Sequence, residues 1–307
     1  MYDYHDPVLL QPSVEALVTD PSGTYLDLTF GGGGHSRAIL NKLSATGILI
    51  AFDQDEDTLS RIPDDTRFTL VNHNFQFTKQ YLQYLNIPAV DGILADLGIS
   101  SHQIDVKERG FAHRLNGPLD MRMSATNPTS AADILQQSSV QDLTSIFKNY
   151  GEISNAKQLA EIIIQNRNQK DLGNIPEFKL AIANCIPGKT PAKYLSQVFQ
   201  ALRIAVNKEM EVLETLLKDA EEIIKPGGKL VVISYHSLED RLVKYLFQTG
   251  NLEGTRHTDL YGRIEKPFDA TPNSAIIPQK EEIERNKRAR SAKMRIGQRN
   301  TWKRTHF

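Results

Sequence analysis

The alternation of apolar and polar positions changes character twice along the chain, and those changes outline its architecture. Over the first hundred residues, short apolar runs alternate with helical spacing. "TYLDLTF" reads as a strand and "HSRAILNKL" as the helix after it. "GILIAFD", "RFTLVN" and "VDGILADLG" read as the next three strands, with helix-like spacing in "FQFTKQYLQYLN" between the last two. Strands separated by helices at this rhythm predict βαβ units and a parallel sheet covered on both faces.

From residue 105 to about 200 the strand signals stop, and "SSVQDLTSIFKNY" and "ISNAKQLAEIIIQNR" read as amphipathic helices. A long helix is expected from Phe199, because Leu202, Val206, Met210, Leu213, Leu217, Ala220 and Ile224 follow at three- or four-residue spacing. "KPGGK" stops it, "KLVVISY" resumes the parallel strands, and "SLEDRLVKYLF" is one more helix. Weak alternation near the end suggests an antiparallel edge pair from "SAIIPQK" and "SAKMRIG". The expected architecture is α/β: a doubly wound sheet from residues 1–104 and 201–307, with an inserted helical domain at 105–200. No repeat or low-complexity tract interrupts it.

The glycines of "TYLDLTFGGGGHSRAIL" raise the question of a cofactor. A Rossmann dinucleotide site requires G-x-G-x-x-G. Gly31 and Gly33 fit its first two positions, but the third falls on Ser36, and a slide of one residue puts Arg37 there. The acids say more. Asp27 lies in the first strand, Asp53 ends the second ahead of Asp55, Glu56 and Asp57, and Asp96 ends the fourth. A carboxylate at a strand end, as Asp53 is, can accept both hydrogen bonds of a ribose diol. Carboxylates so close would repel a pyrophosphate and attract a cation. S-adenosylmethionine carries a sulfonium and an ammonium and no phosphate. The glycines let backbone approach it, and the helix start behind them can meet its carboxylate. Asp27 could instead brace the loop, and Asp55, Glu56 and Asp57 suit a helix start. The residues therefore favour a methyltransferase over a nicotinamide oxidoreductase.

Charge adds a partner. Residues 1–60 hold nine acids against Arg37 and Lys42, a balance of −7. Residues 285–307 hold nine cations and no acid: Arg285, Lys287, Arg288, Arg290, Lys293, Arg295, Arg299, Lys303 and Arg304. Such a stretch predicts an anionic partner, usually nucleic acid, or else a solvated tail. One cysteine, Cys185, rules out an intrachain disulfide and any cysteine-cluster metal site; no metal site is read. No apolar run reaches membrane-spanning length, and "MYDYHDPVLL" does not read as a secretory signal, so a cytoplasmic setting is expected.

Nine stretches in order extend this reading: "HDPVLLQPSVEAL", "LTFGGGGHSRAIL", "FDQDEDTL", "DGILADLGISSHQID", "RGF" with "NGPLDMRM", "YGEISNAKQLAEIII", "FQALRIAVNKEMEVLETLL", "YHSLEDRLVKYLF" and "NKRARSAKMR". On these the chain resembles the bacterial 16S ribosomal RNA (cytosine-N4)-methyltransferases, the small-subunit methyltransferase H or MraW family. The resemblance implies a Rossmann-like class I methyltransferase sheet and transfer of a methyl group to N4 of a cytidine in the decoding region of 16S rRNA. It implies S-adenosylmethionine bound at Gly33, Gly34, His35, Asp53, Phe75, Asp96 and Gln103. The insert becomes the RNA-recognition domain, and the partner is 16S rRNA in the small ribosomal subunit. Oligomeric state stays open, a homodimer included. The sequence departs from the family's usual pattern at Ala112, His113 and Asn116, and at Tyr235, where phenylalanine is usual.

Asp96 is also the candidate acceptor for the target amine. The aromatic and prolines that many amino-methyltransferases carry after the fourth strand are absent from "DLGISS". Ser100 and Ser101 offer hydrogen bonds or are plain turn residues; Tyr235 and His236 could face the base or be structural. Arg109, Arg114 and Arg122 of the insert, with the basic stretch, are expected to hold phosphates. "GPLDMRM" could equally be a packed turn. A nonenzymatic RNA-binding factor and a methyltransferase with another target, DNA included, are the alternatives.

Overall fold

The computed structural model describes residues 7–302. The chain divides into two compact units, Met1–Gly98 with Met210–Phe307, and Ile99–Glu209.

The first unit is built on β1 (Thr24–Asp27), β2 (Ile48–Phe52), β3 (Phe68–Val71), β4 (Val90–Asp96), β5 (Ile224–Ser234), β6 (Phe268–Ala270) and β7 (Lys293–Arg299), in spatial order β3-β2-β1-β4-β5-β7-β6. The first five are parallel; β7 runs antiparallel to both β5 and β6. This is a doubly wound, Rossmann-like sheet with an antiparallel strand inserted near one edge. Its central strands are apolar on both faces: Leu26, Leu49, Ile93, Leu94, Leu230 and Ile233 are fully buried. Strand order reverses between β1 and β4, where helices leave the sheet on opposite sides and a crevice opens beyond the strand ends.

"KPGGK" follows directly on the end of the helix Glu209–Ile223, as expected, and lies inside β5 as a bulge, where the pairing with β4 jumps from Val90–Ile224 to Gly92–Lys229. Gly228 is required there, since a Cβ would lie 2.7 Å from the Asp91 carbonyl. "SAKMRIG" is a strand, but "SAIIPQK" is not its partner strand and gives it only an Ile276–Met294 bridge. Phe268 is fully buried and β6 takes the edge position.

The second unit is helical, with helices at Ala131–Gln137, Val140–Gly151, Ala156–Asn166, Ile175–Ala181 and Pro191–Asn207. Ser130 with Asp133, and Ser139 with Asp142, form capping boxes that fix two of the starts. Leu143, Phe147, Leu159, Ile163, Phe178 and Leu202 share its core. The long helix expected from Phe199 is two helices, Pro191–Asn207 and Glu209–Ile223, broken at Lys208 with φ 50°. Apolar spacing continues across the break, and no glycine or proline marks it. The signal is Asn207, whose buried side chain accepts from the Met123 amide at 2.8 Å and donates to the Met121 carbonyl at 2.8 Å. Those bonds make "GPLDMRM" a packed turn, with Leu119 and Met121 fully buried.

Candidate cofactor site

The site grows from the end of β1. Asp27 is fully buried; it accepts from Ser36 Oγ at 2.6 Å and the Thr29 amide at 3.2 Å, tying strand, loop and helix together. Burial holds its carboxyl up at about 6 against those donors. The loop turns through Gly31 and Gly33 at φ 50° and 75°, and Gly33 is the N-cap of the helix Gly34–Lys42. A glycine cap brings no side chain, so the first helical amides are open to an anionic group. Gly34 is demanded by packing, because a Cβ there would fall 2.1 Å from Pro7 Cγ. Arg37 and Arg61 donate to the Gly32 and Gly31 carbonyls and so stiffen the loop without entering it.

Asp53 follows β2. One oxygen accepts from the Gly31 amide at 2.7 Å and the other from the Asp55 amide at 2.9 Å. Each oxygen keeps a further lone pair, enough to accept both hydroxyls of a diol. Burial, the largest influence, holds this carboxyl at about 6, with the two amides acting against it. Asp55 caps a short 3-10 helix through the Asp57 amide, so the acids behind Asp53 are helix-start residues. Phe75 opens another 3-10 turn after β3 and packs, half-buried, against the sheet core.

Asp96 closes β4. Its amide donates to Thr29 Oγ1 at 2.8 Å, joining β4 to the glycine loop. Its Oδ1 accepts from the Tyr235 hydroxyl at 2.8 Å, and its Oδ2 lies 3.8 Å from His35 Nδ1. His35 is buried, and its Nε2 sits 3.2 Å from the Val8 carbonyl. Burial pushes the imidazole down and holds Asp96 at about 6, while His35 and Tyr235 pull Asp96 back. Tyr235 is thus structural toward Asp96, and His236 caps the helix Ser237–Thr249 with Glu239. His236 Nε2 lies 3.1 Å from Glu239 Oε1, off the geometry of a hydrogen bond.

Of the residues expected to bind cofactor, Gly33, Gly34, His35, Asp53, Phe75 and Asp96 belong to the first unit. Gln103 belongs to the second, where its Oε1 and amide complete a capping box with Ser100. Ser100 is therefore a helix cap. Sequence reasoning missed Thr29, Ser36 and Val8, which hold Asp27, Asp96 and His35 in place. The hydroxyl residues at 29 and 36 flank the glycine loop in the sequence, Ser36 bonding Asp27 and the Thr29 hydroxyl accepting from the Asp96 amide; the Val8 carbonyl carried no signal.

The donor set fits S-adenosylmethionine. Three carboxylates raised by burial ring a glycine loop whose arginines face its carbonyls, and a cation entering there would favour their ionised forms. A pyrophosphate would meet them as like charge.

A family model described as the MraW methylase family matches residues 3–300. The chain belongs to that family. It is an S-adenosylmethionine-dependent methyltransferase. Ribosomal RNA small subunit methyltransferase H of Flavobacterium johnsoniae is 50% identical over 296 residues, 96% of this chain and 98% of the relative. The protein of the same name in Bacteroides thetaiotaomicron is 49% identical over 295 residues, 96% and 97% of the two chains. A solved rRNA methylase from Streptococcus thermophilus is 11% identical with a TM-score of 0.37, across 94% of this chain and 92% of that one.

The basic residues are disposed otherwise than expected. Residues 293–299 form β7 rather than a tail. Arg295 chelates Asp240 at 2.7 and 3.2 Å, with Lys293 on the same carboxylate at 3.4 Å. Arg299 is buried and donates to the carbonyls of Glu221, Pro267, Asn300 and Trp302. Lys287 and Arg290 are exposed, and Lys303 and Arg304 lie outside the described residues. In the insert, Arg122 pairs with Asp120 and Arg109 donates to the carbonyls of Arg122 and Met123; Arg114 is exposed beside Asp105. Among the described residues no helix is long and apolar enough to cross a membrane.

Proposed function

We propose that this chain methylates the exocyclic N4 of a cytidine in the decoding region of 16S ribosomal RNA, acting on the small ribosomal subunit. The observation that carries the reading is the placement of Asp53 and Asp96 at the carboxyl ends of β2 and β4, either side of the glycine loop, with lone pairs left beyond their protein donors. Family membership supplies the substrate class.

The bound cofactor supplies an electrophilic methyl group on a sulfonium. Asp53 accepts the ribose diol, and the ring of Phe75 covers the adenine face. Gly33, Gly34 and His35 present the helix start to the carboxylate end. Asp96 accepts a hydrogen from the ammonium or from the target amine. The N4 lone pair is delocalised into its ring, so an acceptor on the amine hydrogen favours the tetrahedral nitrogen that transfer requires. In-line positioning provides up to roughly 7–11 kcal/mol of the acceleration. No general base is assigned, because the product nitrogen sheds its extra proton readily.

The base has to leave its stack to be methylated, which is cheapest in single-stranded RNA. Residues 105–200 recognise the RNA, and the exposed cations Arg114, Lys287 and Arg290 take the phosphate contacts. The test is methyl transfer from labelled S-adenosylmethionine to small subunits and to naked 16S RNA, with the modified nucleoside identified. Label in N4-methylcytidine is expected. Label in another nucleoside, or none with the cofactor still bound, overturns the substrate.

A further inference from the structure

We infer that Tyr235 is a positioning residue for Asp96: its hydroxyl fixes one orientation of that carboxylate and favours the ionised form that a cationic cofactor needs. The inference rests on the assignment of Asp96 to the cofactor site. It begins from the hydrogen-bond count. Among the described residues, the Tyr235 hydroxyl, at 2.8 Å, is the one side-chain donor to the Asp96 carboxylate.

The nearest competitor is His35, and geometry disqualifies it. Its Nδ1 stands 3.8 Å from Asp96 Oδ2, beyond hydrogen-bond reach. Its Nε2 meets the Val8 carbonyl at 3.2 Å, and a carbonyl only accepts, so the proton of a neutral His35 sits on Nε2. A neutral His35 therefore turns a lone pair, not a donor, toward Asp96. Burial opposes the cationic form that would help.

Tyr235 is itself held in place. Its amide donates to Glu239 Oε2 at 2.9 Å, and its ring lies against Gly98, where a Cβ would come within 3.3 Å of it. Burial first, then Asp96, pushes the phenol well above its ordinary range, so Tyr235 stays a donor throughout the working pH range.

The ionisable groups facing the pair are few. His35 comes from the helix after the glycine loop, Asp27 from β1, and Glu239 from the helix Ser237–Thr249. Glu282 faces the Tyr235 side. Asp27 and Glu239 add to burial in holding Asp96 up at about 6; against them act the charge of His35, when that ring is protonated, and the Tyr235 hydroxyl, which acts through a hydrogen bond. The sign follows. A carboxyl raised in this way is neutral below its pKa and then attracts no cation. Cofactor affinity therefore falls as pH drops through that value, and removing the donor moves the fall to higher pH.

The experiment is calorimetric titration of S-adenosylmethionine into the full chain between pH 5.5 and 8.5, for wild type, Tyr235→Phe and Asp96→Asn. Tyr235→Phe deletes one oxygen and keeps the ring against Gly98, and a thermal melt verifies its fold. The acid limb of Tyr235→Phe is expected to move up by about one pH unit, the scale of a hydrogen bond to an ionised group. That is roughly a three-fold loss of affinity near pH 6.5, closing by pH 8.5. Asp96→Asn is expected to bind more weakly at high pH and to lose Asp96's share of the acid limb, leaving the share that Asp53 contributes. A Tyr235→Phe profile that is unmoved, or lowered equally at every pH, overturns the positioning role while Asp96→Asn still behaves as expected. If Asp96→Asn binds as wild type does, the placement of Asp96 at the cofactor fails first.

Discussion

Two stretches drew the reading of this sequence, and they turned out differently. The glycine loop after β1 does locally what its residues suggested. Asp27 ties it, Asp53 receives its Gly31 amide, and the helix starts on a bare glycine cap. The basic stretch from Arg285 does not. It was expected to wait for an anionic partner, yet Arg295, Lys293 and Arg299 are spent on Asp240 and on backbone carbonyls within the first unit. A glycine run is informative because few contexts require it. An arginine is not, because its long side chain satisfies a phosphate, a carboxylate or a carbonyl equally well.

The sharpest way to break this comparison is Asp53→Ala. It removes two acceptors for the ribose diol, each bond to a charged group being worth about 1.5–3 kcal/mol. Cofactor affinity is expected to fall by roughly 100-fold while the circular dichroism spectrum is kept. An unchanged dissociation constant by calorimetry would remove Asp53 from the site.

Arg295→Ala tests the other side. Side chains 295 and 240 are only 13% and 12% exposed, so cutting the pair leaves a mostly buried carboxylate with only the longer Lys293 contact at 3.4 Å. Denaturant unfolding is expected to show a loss of about 2–3 kcal/mol, short of a fully buried pair. Cofactor affinity should hold. If stability is unaffected but RNA binding weakens, Arg295 serves phosphate after all.

Gly34→Ala should cost about 1–3 kcal/mol, because Pro7 must be displaced to admit the methyl group. A melting temperature equal to wild type would show that Pro7 moves freely, and the packing account of Gly34 would be lost.

The smallest stability effect is expected from Arg290→Ala, an exposed side chain, at within about 0.5 kcal/mol. Its signature is instead in the salt dependence of RNA binding, whose slope should shrink by about 0.7–0.9 if one phosphate contact is removed. An unaltered slope would take Arg290 off the RNA surface.

By itself the sequence determined the parallel strands, the acids at the ends of β1, β2 and β4, and the cofactor's charge type. Period-two and period-3.6 patterns, glycine at positive φ and carboxylates at strand ends are local features that hold in any tertiary setting. What it left open was partnership at a distance. The Tyr235–Asp96 bond joins residues 139 apart, Asn207 locks Met121 and Met123 from across the second unit, and β7 inserts beside β5 to consume its own cations. No residue pattern encodes those meetings, because each depends on which strand ends and turns the finished packing brings within hydrogen-bond reach. The chemistry of the groups was legible along the chain; the choice of partner belonged to the tertiary structure.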